Sequence, residues 1–154
     1  MRIVRWHYGR GCIAALILTL SACAVQWISS YDPVTDQAIS QLHRNTETFL
    51  SALENQSIPD CLSINHRDFY QKMFVDIRAL HVRAQSIPQN ELTLQQISLL
   101  QDSLGLLQQT HVLQDKSAKC MSPGLIATNR ASFESIFVAM MKFELAKKRQ
   151  TSKE

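Results

Sequence analysis

The sequence predicts an all-α fold, an antiparallel up-down-up-down four-helix bundle over residues 32–149. Apolar residues recur at three- and four-residue spacing in four segments, and each segment follows a helix start signal. Sustained alternation of apolar and polar residues is absent, and this range holds only two glycines. The connections near 56–64, 86–92 and 115–121 are short and polar, which favours antiparallel neighbours.

The first two helices are predicted from their start signals. The first begins at YDPVTDQ, where Asp32 can cap the backbone amides and Pro33 suits the first helical position. The second begins at INHRDF, with Asn65 as the cap and Asp68 in the first turn. The residues predicted to face the core are Thr35, Ala38, Ile39, Leu42, Thr46, Phe49 and Leu53, followed by His66, Phe69, Met73, Ile77, Leu80 and Ala84.

The third and fourth helices have similar signals. In LTLQQI, Thr93 and Gln96 have the spacing of a capping box. In SPG, Ser122 can cap a helix that begins at Pro123. The core-facing residues are Ile97, Leu100, Leu104, Leu107 and His111, then Ile126, Asn129, Phe133, Ile136, Phe137 and Met140. Residues 150–154 are predicted to form a polar tail.

The start of the chain has the organisation of a secretory signal. Residues 1–10 carry three arginines and no acid, residues 11–20 are almost wholly apolar, and two small residues follow. The apolar run is shorter than the roughly 20 residues that a transmembrane helix needs. Its end, LSAC at 20–23, resembles the lipobox of bacterial lipoproteins. The resemblance implies cleavage before Cys23, a diacylglycerol on its sulfur, and a fatty acyl chain such as palmitate on its new amine.

The lipobox resemblance also implies a cellular location. Residues 1–22 would be removed as the signal peptide, leaving residues 23–31 as a lipidated tether. Each buried CH₂ of the lipid adds about 0.8 kcal/mol to membrane binding, so three chains anchor a protein permanently. In enteric-type bacteria an aspartate after the lipidated cysteine retains lipoproteins in the inner membrane, so Ala24 implies the outer membrane, facing the periplasm. A plain secreted protein or an uncleaved signal anchor is the alternative.

Two of the four cysteines remain for the folded domain, because Cys12 lies in the signal and Cys23 is expected to carry lipid. Cys61 and Cys120 form an even pair in a compartment where disulfides persist. Neither belongs to a C-x-x-C motif, which a metal site would favour. They lie in the first and third connections, which share one end of the predicted bundle. We therefore predict a single disulfide between Cys61 and Cys120.

Charge and motif content exclude several functions. The chain has 16 Lys and Arg against 13 Asp and Glu, but three of the arginines belong to the signal. The mature chain has no net charge, and we expect no overall attraction to nucleic acid. Phosphate loops, G-x-S-x-G, H-E-x-x-H, C-x-x-C-H and the E-x-x-H of di-iron bundles are all missing. We therefore expect a protein that is not an enzyme, with no metal and no cofactor.

Three polar residues occupy core-facing positions. They are His66, His111 and Asn129, and the predicted topology gathers them beneath the disulfide. Buried polar groups need partners, so the simpler interpretation is a hydrogen-bonded cluster. A pocket for a small ligand or a metal ion is the alternative.

The third helix carries a second apolar row. Leu92, Leu99, Leu106 and Leu113 recur every seven residues, roughly opposite the core-facing line of that helix. A helix that is apolar on two sides is either sandwiched within its own fold or covered by another molecule. The sequence leaves both interpretations open. In the second, the partner is another copy of the chain or an envelope protein.

Beyond the lipobox, the chain resembles an uncharacterised group of small helical envelope lipoproteins of bacteria. The shared segments are YDPVTD, NHRDFY and ELAKK. The resemblance implies the cellular location and the helical fold, without an activity. Two hypotheses of function follow. The first is a non-catalytic interaction or scaffold module at the outer membrane, and the alternative is a helical bundle that binds a small ligand or metal in the periplasm.

Overall fold

Four α-helices account for most of the part of the chain that the computed structural model describes, residues 28–151. They are α1 (Pro33–Asn55), α2 (Arg67–Gln85), α3 (Glu91–Asp115) and α4 (Pro123–Thr151), and a short 3₁₀ helix, Ser63–His66, leads into α2. The described residues contain no β-strand. The predictions of an all-α fold and of four helices are therefore confirmed.

Some predicted features lie outside the described residues. These are the signal peptide (1–22), the lipidation site Cys23, the tether up to residue 27, and residues 152–154 of the tail. The helix α4 continues through Thr151, so it extends into the segment predicted as a polar tail. Among the helices that the structure describes, none has both the length and the hydropathy that crossing a membrane requires.

Two helices begin where the sequence predicts. Asp32 is the N-cap of α1, and its Oδ2 accepts hydrogen bonds from the amide of Thr35 at 3.1 Å and from its hydroxyl at 2.6 Å. Pro33 follows as the first helical residue. At the start of α4, Ser122 Oγ accepts from the amide of Leu125 at 3.3 Å. Each cap satisfies an amide that would otherwise lack a partner in the first turn.

The other two predicted caps are wrong. Asn65 does not cap α2, because its side chain donates to the carbonyl of Pro59 at 2.8 Å within the 3₁₀ segment. The helix α3 begins at Glu91, ahead of the predicted capping box, which places Thr93 inside its first turn. Asn90 occupies the N-cap position of α3 without a side-chain capping bond, since its amide group is used in tertiary contacts.

The core lies between the four helices. The helix α1 packs against α2 and α4, and α3 packs against the same two neighbours. Buried side chains from every helix meet there, including Leu50, Ile77, Leu104, Phe133 and Met140. Burying a side chain of this size contributes about 1.5–3 kcal/mol relative to leaving it exposed.

The predicted disulfide is confirmed. Cys61 and Cys120 are bonded, with their Cα atoms 5.4 Å apart, and they join the connection before the 3₁₀ helix to the connection before α4. The bond closes a loop with a sequence separation of 59 residues. Restricting the unfolded chain over a loop of this length stabilises the fold by about 4 kcal/mol on the chain-entropy model.

Candidate functional site

The second apolar row of α3 lies on the surface. Its residues, Leu92, Leu99, Leu106 and Leu113, are called here the leucine face, and their exposed fractions are 51, 58, 63 and 56%. Ile97 and Leu104, on the opposite side of the same helix, are completely buried. Within the part of the chain that the structure describes, the leucine face is therefore not sandwiched between helices. This exposure agrees with the second interpretation, in which another molecule covers the face.

The surroundings of the leucine face are polar but almost uncharged. Its exposed neighbours on α3 are Gln95, Ser98, Gln101, Asp102 and Gln109. Asp102 is the one acidic residue between positions 92 and 113, and that range holds no Lys or Arg. Beside Leu113, a shallow groove of about 410 Å³ is lined by Gln108, Gln109, Val112 and Lys116. The leucine face therefore presents apolar contact area and amide hydrogen-bonding groups, with little charge.

Other helices expose apolar residues over shorter distances. On α2, Val75 and Val82 are exposed by 65 and 62%, and on α4 Val138 and Leu145 are also exposed. Each of these pairs spans one heptad, whereas the leucine face spans three. On α2 the two valines line a groove together with Phe74 and Ala79. The leucine face differs from both pairs in its length and in the regular spacing of its residues.

His111 is the centre of the polar cluster beneath the disulfide. It is completely buried, its Nε2 lies 2.7 Å from the carbonyl oxygen of Cys61, and its Nδ1 lies 2.9 Å from Tyr70 Oη. A carbonyl only accepts, so Nε2 carries the proton and Nδ1 accepts from the tyrosine hydroxyl. Burial raises the pKa of Tyr70, which keeps its hydroxyl protonated as this donor. Both ring nitrogens of His111 are therefore satisfied.

His66 lies beside His111, but Asn129 makes a different contact. The ring centroids of the two histidines are 5.6 Å apart. Burial, and secondarily the neighbouring His111, lower the pKa of His66. Its Nε2 is buried and has no hydrogen-bond partner among the described residues. Asn129 instead donates to the carbonyl of Leu125, one turn earlier in α4, at 2.8 Å.

This cluster contains few groups that could act as metal ligands. Within residues 28–151, no three His, Cys, Asp or Glu side chains are grouped in a way that could hold one. The carboxylate of Asp115, four residues after His111, accepts hydrogen bonds from the backbone amide and the hydroxyl of Ser63. The nearest carboxylate along α3 is thus engaged in joining that helix to the 3₁₀ segment. The geometry of the cluster is that of a hydrogen-bonded core.

A buried ion pair was not anticipated from the sequence. Lys147 and Glu144, near the end of α4, have side chains only 2 and 1% exposed. Lys147 Nζ donates to Glu144 Oε1 at 2.7 Å, to Asn90 Oδ1 at 2.9 Å and to Thr93 Oγ1 at 2.8 Å. The signal was present, because positions 144 and 147 continue the core-facing spacing of Phe133, Phe137 and Met140.

The same cluster holds the segment that precedes α1. Ser29 is buried, its hydroxyl donates to Asn90 Oδ1 at 2.7 Å, and its amide donates to the carbonyl of Gln89 at 3.0 Å. Gln89 adopts a φ of 58°, a conformation that is uncommon outside glycine. The two hydrogen bonds of Ser29 attach the segment before α1 to the residues that precede α3.

Three comparisons with known proteins gave no match to this chain, whether among protein-family models, curated proteins or solved structures. The resemblance to envelope lipoproteins stays a prediction.

Proposed function

We propose that this protein is a lipoprotein anchored in the outer membrane, and that its periplasmic bundle is a non-catalytic interaction or scaffold module. The observation that carries the proposal is the leucine face, four regularly spaced leucines that are each more than half exposed. Apolar rows of this length on a soluble domain are typical of contact surfaces. The proposed outer-membrane location rests on the LSAC segment at 20–23 and on Ala24.

We infer that successive helices run antiparallel, in up-down-up-down order. The ion pairs of two arginines support this order. Arg83, near the end of α2, binds the carboxylate of Asp32 at the start of α1 through two hydrogen bonds of 2.6 and 2.7 Å. Arg130, near the start of α4, lies 3.1 Å from Glu47 and 2.7 Å from Glu54, both in the second half of α1.

The membrane anchor would lie at the end of the bundle that holds Ser29. Between the lipidated Cys23 and Ser29 the chain has six Cα–Cα steps, which span at most roughly 22 Å. The contacts of Ser29 with Gln89 and Asn90 support a tether that ends there. Leu92 would then lie near the membrane and Leu113 far from it, and the disulfide would be at the distal end.

A second candidate, binding of a small ligand or metal near His66, is supported by one observation. The Nε2 of His66 is buried without a hydrogen-bond partner among the described residues, and such an atom can accept a bond from a ligand. The neighbouring His111 has no free nitrogen, which makes this the weaker candidate. Metal analysis and thermal melting with added zinc, compared between wild type and His66→Leu, test it.

Two measurements on the full chain test the main proposal. The variant Cys23→Ser should lose labelling by a radioactive fatty acid and accumulate as an uncleaved precursor, and normal processing of this variant would contradict the anchor. A photo-cross-linking residue at position 99, in intact envelopes, should give adducts with protein. A matched residue at position 75 on α2 should give few, and equal yields at the two positions would contradict the assigned surface.

A further inference from the structure

The spacing of the leucine face indicates that its occupant is a helix. From Leu92 to Leu113 the face extends over three heptads, roughly 32 Å at 1.5 Å per residue. A seven-residue repeat drifts by about 20° per heptad around a straight helix, and two helices that wind around each other with a left-handed twist follow this drift. A row of this kind keeps continuous contact with a second helix and not with a flat surface.

The charge of this face favours an identical partner. A highly charged partner finds few complementary groups here, because Asp102 is the one acidic side chain between positions 92 and 113 and no Lys or Arg lies among them. Two copies of the same face contribute one Asp102 each, so like-charge repulsion across the contact is small. Gln95 and Gln109, exposed beside the leucines, each carry both a donor and an acceptor and can bond to polar groups of either kind on a second copy.

We infer that the leucine face is a two-fold contact between two membrane-anchored copies of this chain, with their α3 helices parallel. The inference rests on the proposed lipid anchor. Parallel packing follows from the tether, because Ser29 of each copy must stay within roughly 22 Å of the lipidated cysteine. In an antiparallel pair, one Ser29 would lie at the far end of the roughly 32 Å leucine face, beyond the reach of its tether.

The membrane anchor also explains how a narrow face can hold two copies of the chain together. A stable dimer in solution generally buries about 1,600 Å² in total, and one row of half-exposed leucines is at the weak end of that range. Two copies that are confined to one membrane surface have an effective concentration that reaches the millimolar range. A contact too weak to hold soluble domains together is then sufficient.

In a two-fold parallel contact each residue on the axis faces its own counterpart. Leu99 therefore meets Leu99 of the second copy, and Leu106 meets Leu106. In an antiparallel contact Leu99 would meet Leu106 instead. Introduced cysteines distinguish these arrangements, because Cys61 and Cys120 are already bonded to each other and Cys23 is expected to carry lipid.

The test uses the full lipidated chain in its membranes, with Leu99→Cys and Leu106→Cys prepared separately. Oxidation should convert each variant to a disulfide-linked dimer with a yield several-fold above that of Val75→Cys, whose parent side chain is exposed to a similar degree. The difference from Val75→Cys should persist at increasing lipid-to-protein ratios. Yields no higher than the Val75→Cys control would overturn the inference, as would dimers that form only when the two leucine variants are mixed.

The failure of this inference is distinguishable from failure of the proposed function. If position 99 forms photo-adducts with a different protein and the cysteine variants form no dimer, the interaction module stands and the second copy is excluded. Absence of both kinds of product in correctly lipidated protein would remove the leucine face as a contact surface altogether.

Discussion

Lys147 Nζ lies 2.7 Å from Glu144 Oε1 in a site from which solvent is almost completely excluded. The lysine uses its other two donors on Asn90 and Thr93, so all three of its protons are bonded. The carboxylate is less well satisfied, because Glu144 Oε2 is buried without a partner among the described residues. The pair thus joins the end of α4 to the start of α3 and leaves one acceptor unmatched.

Removing one member of this pair should be strongly destabilising. We expect Lys147→Met to lower the free energy of unfolding at pH 7 by about 3–5 kcal/mol, because it leaves a buried carboxylate without its counter-charge. Replacing both residues, as Lys147→Met with Glu144→Leu, should restore most of the loss. Urea titration followed by circular dichroism measures both.

The matched control is Lys142→Met, an exposed lysine on the same helix. Its substitution should change stability by no more than about 0.5 kcal/mol. A Lys147→Met variant as stable as Lys142→Met would show that the pair contributes nothing to the fold.

The stability of the bundle should depend on pH through two carboxyl groups that act in opposite directions. The hydrogen bond from Arg83, aided by Thr35, holds the pKa of Asp32 well below its usual range. Its contribution is therefore present above the unfolded pKa of about 3.9 and is lost as the pH falls. Burial raises the pKa of Glu144 despite Lys147, so its penalty is absent in acid and grows as the pH rises above about 4.3.

The variant Arg83→Gln isolates the contribution of the Asp32 carboxylate. It should be less stable than wild type at neutral pH and should lose less further stability on acidification below about pH 4, since Asp32 has lost its main charged partner. Arg78→Gln, on the exposed side of the same helix, should keep the wild-type profile. If wild type and Arg83→Gln lose the same free energy of unfolding on acidification, the proposed role of the Arg83–Asp32 contact is contradicted. Urea midpoints measured across the acid range provide the comparison.

The parts of the fold that sequence could predict are those set by apolar spacing. The core-facing positions of α3, including His111, follow the three- and four-residue rule, and the leucine face was visible as a second periodicity. Both follow from helix geometry alone. His66 was placed beside His111 because both were assigned to one end of the bundle, and their rings are in contact.

What sequence missed are polar groups whose burial depends on partners far along the chain. Lys147 belongs to a basic segment, KKR, typical of a solvated helix end, and only its contacts with Asn90 and Thr93 explain its burial. Asn90, at the N-cap position of α3, is likewise buried with distant partners, since it bonds to Ser29 as well as to the carbonyl of Ala84. Helical spacing indicates that positions 144 and 147 face the core, but it does not indicate which residues pair with them, because the bonds of Lys147 to Asn90 and Thr93 join residues 57 and 54 positions apart.

The two histidines beneath the disulfide should differ in their effect on stability. We expect His111→Leu to cost about 1–3 kcal/mol for each of the two buried groups it leaves unpaired, the Tyr70 hydroxyl and the Cys61 carbonyl. His66→Leu should cost less, because it removes a nitrogen that has no partner among the described residues. Chemical denaturation of both variants at pH 7 makes the comparison, and an equal loss would contradict the assigned network.

The leucine face should contribute to association and not to folding. The double variant with Leu99→Glu and Leu106→Glu replaces side chains that are 58 and 63% exposed, so its stability should change by no more than about 0.5 kcal/mol per site. Four carboxylates would meet across the two-fold contact, and the dimer captured by chemical cross-linking in membranes should be lost. The control is Val75→Glu with Val82→Glu, which has the same spacing and similar exposure on α2 and should retain the dimer. A leucine variant that unfolds would mean that the face is packed inside the monomer, and one that stays folded with undiminished cross-linking would exclude α3 as the contact.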